Sequence, residues 1–174
     1  MAYIRTVGEN EATGELGALY GQIAKARGGV ASIHQAQSLN VPVLEAHLEL
    51  YKAIMFRPSP LSRAWREAIA VAVSRANQCG YCEAHHGAAL AALGGASDVP
   101  AALLAWAARL ARQPERASEV DVDTLRGLGL DDRAILDAIL TVAYFSFANR
   151  LVMATGLTLE DGYQQTCAPD LTGD

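Results

Sequence analysis

Residues 67–86 of the chain read EAIAVAVSRANQCGYCEAHH. This stretch contains a CxxC pair, Cys79 and Cys82. Glu67 stands twelve residues before the first cysteine, and His86 stands four residues after the second. An Ala- and Val-rich helical pattern precedes the pair, and a polar break separates it from a second helical pattern that carries the cysteines. The stretch therefore predicts two antiparallel helices that bring these four reactive side chains together.

Residue spacing predicts how the four groups meet. Residues three and four apart are neighbours on a helix, so Cys79, Cys82 and His86 line one face of a helix that starts near Cys79 or Gly80. The positive end of that helix favours a thiolate. His86 is placed to take the proton of Cys82, and Glu67 is placed to hold the imidazole in one tautomer. The pattern indicates redox or metal chemistry in a reducing compartment.

The rest of the chain predicts an all-α, single-domain helical bundle of about six or seven helices. Helix starts are expected at the capping residues Asn40, Ser62, Ser97 and Asp131. The last long helix, from Asp132 to about Thr155, is apolar nearly all round, which is typical of a bundle centre or a subunit interface. No period-2 pattern of β-branched residues appears, so we expect no strands.

The domain is expected to span residues 1–174, with the redox motif at 67–86 and a loosely packed tail from about residue 158. Three further side chains are predicted to have only minor roles. His85 points about 100° away from His86 on an ideal helix, which favours a surface or interface position. Asn149 is expected to be structural, and Cys167 is expected to be a bystander thiol in the tail.

Composition excludes several function classes. The chain has 174 residues, of which 51% are hydrophobic, with 14 basic and 19 acidic residues and a net charge of −5. One domain of this size buries about 70% of the surface of its unfolded chain. An acidic protein without a Lys/Arg run is a poor nucleic-acid binder. The longest uncharged apolar run, residues 138–148, is short for a membrane span, and no secretory signal is visible, so we expect a cytoplasmic protein.

The motif resembles that of a known family. Glu67, eleven residues, Cys79-Gly80-Tyr81-Cys82, three residues and His86 form a pattern similar to that of alkylhydroperoxidase D-like proteins in the carboxymuconolactone decarboxylase superfamily. The flanking segments SPLSRAWREAIAVAVSRAN and FSFANRLVMATGL resemble its peroxidase-related branch. Some members carry a second relay histidine just before the second cysteine, where this chain has Tyr81.

The resemblance implies a fold, an activity and roles for the four residues. It implies an all-α homo-oligomer, commonly a trimer or hexamer, that reduces hydroperoxides through a cysteine pair without a metal or other cofactor. Cys82 would be the peroxidatic thiol, Cys79 the resolving thiol, His86 the base and Glu67 its proton-relay partner. An external dithiol, such as a lipoyl-bearing or other thiol protein, would regenerate the pair.

Other interpretations of the cysteine pair remain open. A general thiol–disulfide oxidoreductase or redox sensor would use the same dithiol. The superfamily also permits a decarboxylase-like enzyme, although the cysteine pair weighs against it. A buried structural pair and a zinc-binding, non-enzymatic oligomer are further alternatives. Zinc is the weaker of these two, because a structural site needs four ligands and the other candidates, His34, His47 and Cys167, are remote from the pair.

Overall fold

The described residues, 2–167 of the computed structural model, fold into eight α-helices and two short 3-10 helices and contain no β-strand. The all-α prediction is therefore confirmed. The predicted count of six or seven helices is low because a four-residue helix is too short to show a sequence period. The α-helices are α1 (Gly14–Arg27), α2 (Ser32–Gln35), α3 (Val41–Met55), α4 (Arg63–Ala76), α5 (Gly80–Ala92), α6 (Ala101–Arg112), α7 (Glu119–Gly127) and α8 (Asp132–Thr155).

Capping side chains start α3, α4 and α8 as the sequence predicts. The side-chain oxygens of Asn40, Ser62 and Asp131 each accept a hydrogen bond from the backbone N–H three residues further on. The prediction that Ser97 caps the next helix is wrong, because α6 begins directly after Pro100. Proline disfavours helical geometry in the residue before it, so α6 does not extend back toward Ser97.

Helices α4 and α8 lie at the centre of the bundle. Helix α4 packs against α5, α6 and α8, and α8 also contacts α3 and α7. Ile69 and Val73 of α4, Leu103 of α6 and Phe145 of α8 are almost completely buried in the main core. By length and composition alone α8 could cross a membrane, but half of its most apolar window is buried inside the protein. We therefore interpret it as the core helix of the bundle.

The tail packs against the bundle as far as the structure describes it. A 3-10 helix, Tyr163–Cys167, contacts α5 and α1. The guanidinium of Arg27 donates to the carbonyl oxygen of Thr166 at 2.9 Å. The expectation of a loosely packed tail is therefore wrong for residues 158–167, because long-range contacts replace the missing sequence period. The part of that expectation that concerns residues 168–174 lies outside the described residues.

Candidate active site

The cysteine pair lies at the start of α5, directly after a tight turn from α4. Gln78 has a φ of +60°, a left-handed conformation that is uncommon for a residue with a side chain. It ends α4 and reverses the chain, so that Cys79 is the N-cap of α5 and Cys82 lies in the first turn. Both are free thiols, with only 2% and 3% of their surfaces exposed. The predicted helix start near Cys79 is confirmed.

The two thiols share a hydrogen bond that separates their pKa values. The bond from Cys82, helped by backbone N–H groups of the first turn, lowers the pKa of Cys79 to about 7. The same bond, together with burial, raises the pKa of Cys82. The first proton therefore leaves Cys79 at the helix N-terminus. The predicted role of Cys82 as the attacking sulfur stays a prediction.

Asn149 links α8 to the cysteine pair. Its fully buried side chain donates to the hydroxyl of Ser74 at 3.1 Å and accepts from the side chain of Asn77 at 2.9 Å. It also hydrogen-bonds to both cysteine side chains and lowers the pKa of each. The predicted structural role is therefore incomplete. The sequence points to Asn149 only through its position, as a polar residue directly after the apolar run of residues 138–148.

Glu67 of α4 and His86 of α5 meet as their spacing predicts. One carboxylate oxygen of Glu67 lies 2.6 Å from Nδ1 of His86, and the other accepts from Nε of Arg63 at 2.8 Å. Glu67 is completely buried. Burial opposes its ionisation, but the charges and hydrogen bonds of His86 and Arg63 outweigh burial and hold its pKa below the usual value. Because Nδ1 faces the carboxylate, Nε2 is the ring nitrogen left for chemistry.

A cavity of about 50 Å³ adjoins these groups. Cys82 and His86 both line it, whereas Cys79 is not among the lining residues. A single water molecule needs about 10–15 Å³ of such volume, so the cavity holds a few waters or a ligand of similar size. Cys82 is therefore the sulfur that a small molecule would meet. The remaining wall includes four aromatic side chains, those of Tyr51, Tyr81, Tyr144 and Phe145.

Next to the cavity, Glu160 of the C-terminal tail forms a second polar cluster with Tyr81 and His85. The hydroxyl of Tyr81 donates to Oε1 of Glu160 at 3.2 Å, and Nε2 of His85 lies 3.4 Å from the same oxygen. The hydrogen bond and charge of His85 outweigh the effect of burial and lower the pKa of Glu160 to about 2. The rings of Tyr81 and Tyr163 both pack against His85. His85 is therefore buried, and its predicted surface or interface position is wrong.

Of the other candidate ligands, His34 and His47 pack against each other, with ring centroids 6.2 Å apart, and His34 also lines the cavity with Cys82, so its predicted remoteness from the pair is wrong. Within residues 2–167, no group of three or more His, Cys, Asp or Glu side chains is placed to hold a metal ion. Both histidines are buried, with 4% and 5% of their surfaces exposed. The side chain of Cys167 lies outside the described residues, so its bystander role stays a prediction. The absence of a metal or cofactor likewise stays a prediction.

Comparison with known proteins finds a family resemblance in the segment that holds these residues. Residues 42–120 match the sequence model of the carboxymuconolactone decarboxylase family, and this segment includes Glu67, both cysteines of the pair and His86. The predicted resemblance to the carboxymuconolactone decarboxylase family is confirmed over this segment. A search of curated proteins found no match.

Solved structures with a similar fold include peroxidase-related proteins and a debrominase. A peroxidase-related protein from Silicibacter sp. TM1040 is 29% identical, with a TM-score of 0.78 over 88% of this chain and 89% of that chain. An alkylhydroperoxidase AhpD core protein from Ralstonia eutropha JMP134 is 22% identical, with a TM-score of 0.81 over 95% and 96% of the two chains. The debrominase Bmp8 is 19% identical, with a TM-score of 0.71 over 95% and 96%. The last two show the fold alone, so these similarities do not fix the reaction of this chain.

The thiol pair predicts a pH dependence. We expect the rate at which peroxide oxidises the reduced protein to rise with pH through a midpoint near 7, because the pKa of Cys79 is lowered to about 7. An unperturbed thiol would give a midpoint near pH 8.5. Stopped-flow oxidation between pH 5 and pH 9 measures this midpoint. A Cys79→Ala control should move it upward, and a wild-type midpoint near 8.5 would contradict the interpretation.

Proposed function

We propose that this protein is a thiol-dependent peroxidase that reduces hydrogen peroxide or small organic hydroperoxides. The observation that carries the proposal is that Cys82 lines a small cavity together with His86, whose Nδ1 is bonded to the buried Glu67. Such a reaction needs a nucleophilic sulfur, a proton donor for the leaving oxygen and a second thiol within reach. Cys82, His86 and Cys79 are placed to supply these three functions.

The proposed cycle starts with one negative charge on the thiol pair and a proton on His86. As the proton of Cys82 passes along the thiol hydrogen bond to Cys79, the sulfur of Cys82 attacks the terminal peroxide oxygen. An S–O bond forms, the O–O bond breaks, and His86 protonates the leaving alkoxide. The thiol of Cys79 then condenses with the sulfenic acid at Cys82, which forms a disulfide and releases water. Two thiols are oxidised, and one peroxide is reduced to an alcohol and water.

Cavity size supports small substrates. A volume of about 50 Å³ accommodates hydrogen peroxide or the reacting end of a short alkyl hydroperoxide. Bulky hydroperoxides would require the aromatic wall to move. We therefore expect the rate of thiol oxidation to fall as the alkyl group attached to the hydroperoxide becomes larger.

The partners in this proposal are a reductant and further copies of the chain. An external dithiol, such as a lipoyl-bearing or other thiol protein in the cytoplasm, would return the disulfide to two thiols. We also propose a homo-oligomer, a trimer or hexamer, because α3 and α8 expose apolar side chains that a monomer rarely leaves uncovered. On these two helices, the exposed side chains are Val43, Leu50, Leu136, Ile139, Leu140, Phe147 and Met153.

A general thiol–disulfide oxidoreductase is the second candidate. The lowered pKa of Cys79 at a helix N-terminus favours it, because such thiolates attack disulfides readily. The burial of both sulfurs opposes it, because a protein disulfide needs an exposed thiolate.

Rates with competing substrates separate these functions. We expect hydrogen peroxide to oxidise the reduced protein at least about tenfold faster than a small aromatic disulfide does, since the cavity admits the smaller molecule more readily. Faster reaction with the disulfide would favour the oxidoreductase. Because a debrominase shares this fold, 2,3,4-tribromopyrrole is a useful third substrate. Its faster consumption would replace the peroxidase proposal, as would a lactone decarboxylase activity that persists when Cys79 and Cys82 are both changed to serine.

A further inference from the structure

A buried chain of three polar side chains leads from the bundle interior to the cavity. The side-chain nitrogen of Gln37 lies 3.0 Å from the backbone carbonyl oxygen of Ile33 and 2.7 Å from Nδ1 of His47. On the other side of the imidazole, Nε2 of His47 lies 2.6 Å from the hydroxyl oxygen of Tyr144. Tyr144 is also part of the cavity wall, together with Cys82. The direction of these hydrogen bonds determines where the hydroxyl proton of Tyr144 points.

The carbonyl of Ile33 fixes the orientation of the Gln37 amide. A backbone carbonyl oxygen can only accept a hydrogen bond, so the group that faces it must be the NH₂ group of the amide. The reverse orientation would place two oxygens against each other at 3.0 Å. The NH₂ group therefore faces both Ile33 and Nδ1 of His47, and Nδ1 must be the acceptor.

The amide in turn fixes the tautomer of His47. Burial, together with the positive charge of Arg27, lowers the pKa of His47 to about 4, so its imidazole is neutral at neutral pH. A neutral imidazole carries one N–H, and because Nδ1 is an acceptor the proton is on Nε2. Nε2–H consequently donates to the hydroxyl oxygen of Tyr144.

The hydroxyl proton of Tyr144 must then point away from His47. A phenolic O–H lies near the plane of its ring and has two preferred positions, one of which would collide with the N–H of His47. Tyr144 keeps this proton, because burial and nearby charges that include those of Tyr51 and Cys82 raise its pKa well above the usual value. The ring is held by stacking on Tyr51, with centroids 5.6 Å apart. Within the described residues, His47 is the only hydrogen-bond partner of the Tyr144 hydroxyl, so its proton is available to a molecule in the cavity.

We propose that Tyr144 donates a hydrogen bond to the leaving oxygen of the peroxide, and that Gln37 and His47 are positioning residues that orient this donor. The inference rests on the proposed peroxidase function and adds a catalytic residue to it. While the S–O bond to Cys82 forms and the O–O bond breaks, negative charge grows on the leaving oxygen. Tyr144 stabilises this charge and retains its own proton, and His86 supplies the proton that makes the alcohol. An oriented donor at such an oxygen contributes most when that oxygen is strongly basic.

The test uses Tyr144→Phe and two oxidants with different leaving groups. An alkyl hydroperoxide releases a strongly basic alkoxide, whereas a peroxy acid releases a weakly basic carboxylate. We expect the variant to lose about 10²-fold in the rate of thiol oxidation by tert-butyl hydroperoxide and much less with peracetic acid. Tyr20→Phe is the matched control, because Tyr20 is also buried but its hydroxyl donates to the carbonyl of Val7, in a separate hydrophobic cluster. The control should keep both rates.

A second variant tests the positioning role. His47→Phe removes the group that orients the Tyr144 hydroxyl. We therefore expect the rate of thiol oxidation by tert-butyl hydroperoxide to fall, but by less than in Tyr144→Phe. The rate with peracetic acid should again change much less. Thermal unfolding of each variant establishes that it is folded at the assay temperature. Equal losses with both oxidants in Tyr144→Phe, or no loss with either, would overturn the inference while leaving the proposed function intact. A folded wild-type protein that reacts with neither oxidant would overturn both.

Discussion

Replacing Cys82 with serine should abolish peroxide turnover, whereas replacing Cys79 with serine should permit a single oxidation that stops at a sulfenic acid. Cys82 lines the cavity and Cys79 does not, so only Cys82 can meet the peroxide directly. Loss of a nucleophile lowers turnover by about 10⁴-fold or more in enzymes that depend on one. Without Cys79 the oxidised sulfur has no partner thiol, and disulfide formation ends. The Cys79→Ser protein should also react more slowly than wild type, because it lacks the thiolate that receives the proton of Cys82.

Mass spectrometry with a reagent specific for sulfenic acid separates these outcomes. After one equivalent of hydrogen peroxide, the Cys79→Ser protein should carry the reagent at Cys82, and the Cys82→Ser protein should remain unmodified at Cys79. Cys167→Ser is the control, and it should retain wild-type turnover because the proposed cycle uses only the pair. Labelling of Cys79 in the Cys82→Ser protein at the wild-type rate would reverse the assigned roles.

Replacing Glu67 with glutamine should lower both the oxidation rate and the stability of the protein. The carboxylate is fully buried between His86 and Arg63, and its removal leaves both partners without their counter-charge. Breaking such a pair costs about 3 kcal/mol of unfolding free energy. The imidazole of His86 also loses the carboxylate that holds its Nδ1, so we expect a fall of about 10²-fold in peroxide oxidation. Urea unfolding and stopped-flow kinetics below the unfolding transition measure the two effects separately.

A surface pair provides the control for Glu67. Glu83 is partly exposed and pairs with Arg75 at 2.8 Å, so Glu83→Gln should change the unfolding free energy by less than about 1 kcal/mol and leave the rate unchanged. The stabilising effect of Glu67 should also depend on pH. Because its pKa is lowered in the folded protein, the contribution is present above the unfolded pKa, about 4.5, and is lost as the pH falls through the folded pKa. A folded Glu67→Gln protein with wild-type kinetics would exclude Glu67 from the proton relay.

The local features of the fold were predictable because short-range chemistry determines them. Asn40, Ser62 and Asp131 satisfy backbone groups within their own first turns, so their positions locate three helix starts without tertiary information. The approach of Glu67 to His86 was also predictable, because two adjacent helices with a tight turn bring both residues to the same level. The turn itself required Gln78 in a left-handed conformation, for which the sequence gives no clear signal.

The features that the sequence missed depend on long-range packing. Helical geometry alone turns His85 away from the site, but Glu160 and Tyr163 return from the end of the chain and cover it. Asn149 reaches the cysteines from a helix whose apolar pattern suggested only core packing. Each of these contacts joins segments separated by more than 60 residues. No local period or spacing can therefore indicate them.

The hydrogen-bonded chain of Gln37, His47 and Tyr144 likewise depends on long-range packing and could not be predicted from the sequence. Gln37 follows a helix that the sequence did not predict, His47 was considered only as a remote candidate ligand, and Tyr144 lies in a helix that was interpreted as bundle core. The chemical relation among the three appears only when the hydrogen-bond distances fix the amide orientation and the tautomer. Sequence reasoning could identify the cysteine pair but not the tyrosine that shares the cavity wall with Cys82.

The most direct test of the peroxidase proposal is the fate of the cysteine pair after one equivalent of hydrogen peroxide. The reduced protein is treated under native conditions, remaining peroxide is measured, and the protein is digested without reductant for mass spectrometry. We expect the peroxide to be consumed and the peptide that contains Cys79 and Cys82 to lose two hydrogen atoms through an intramolecular disulfide. Unconsumed peroxide, with both thiols still free in the folded protein, would contradict the proposed function.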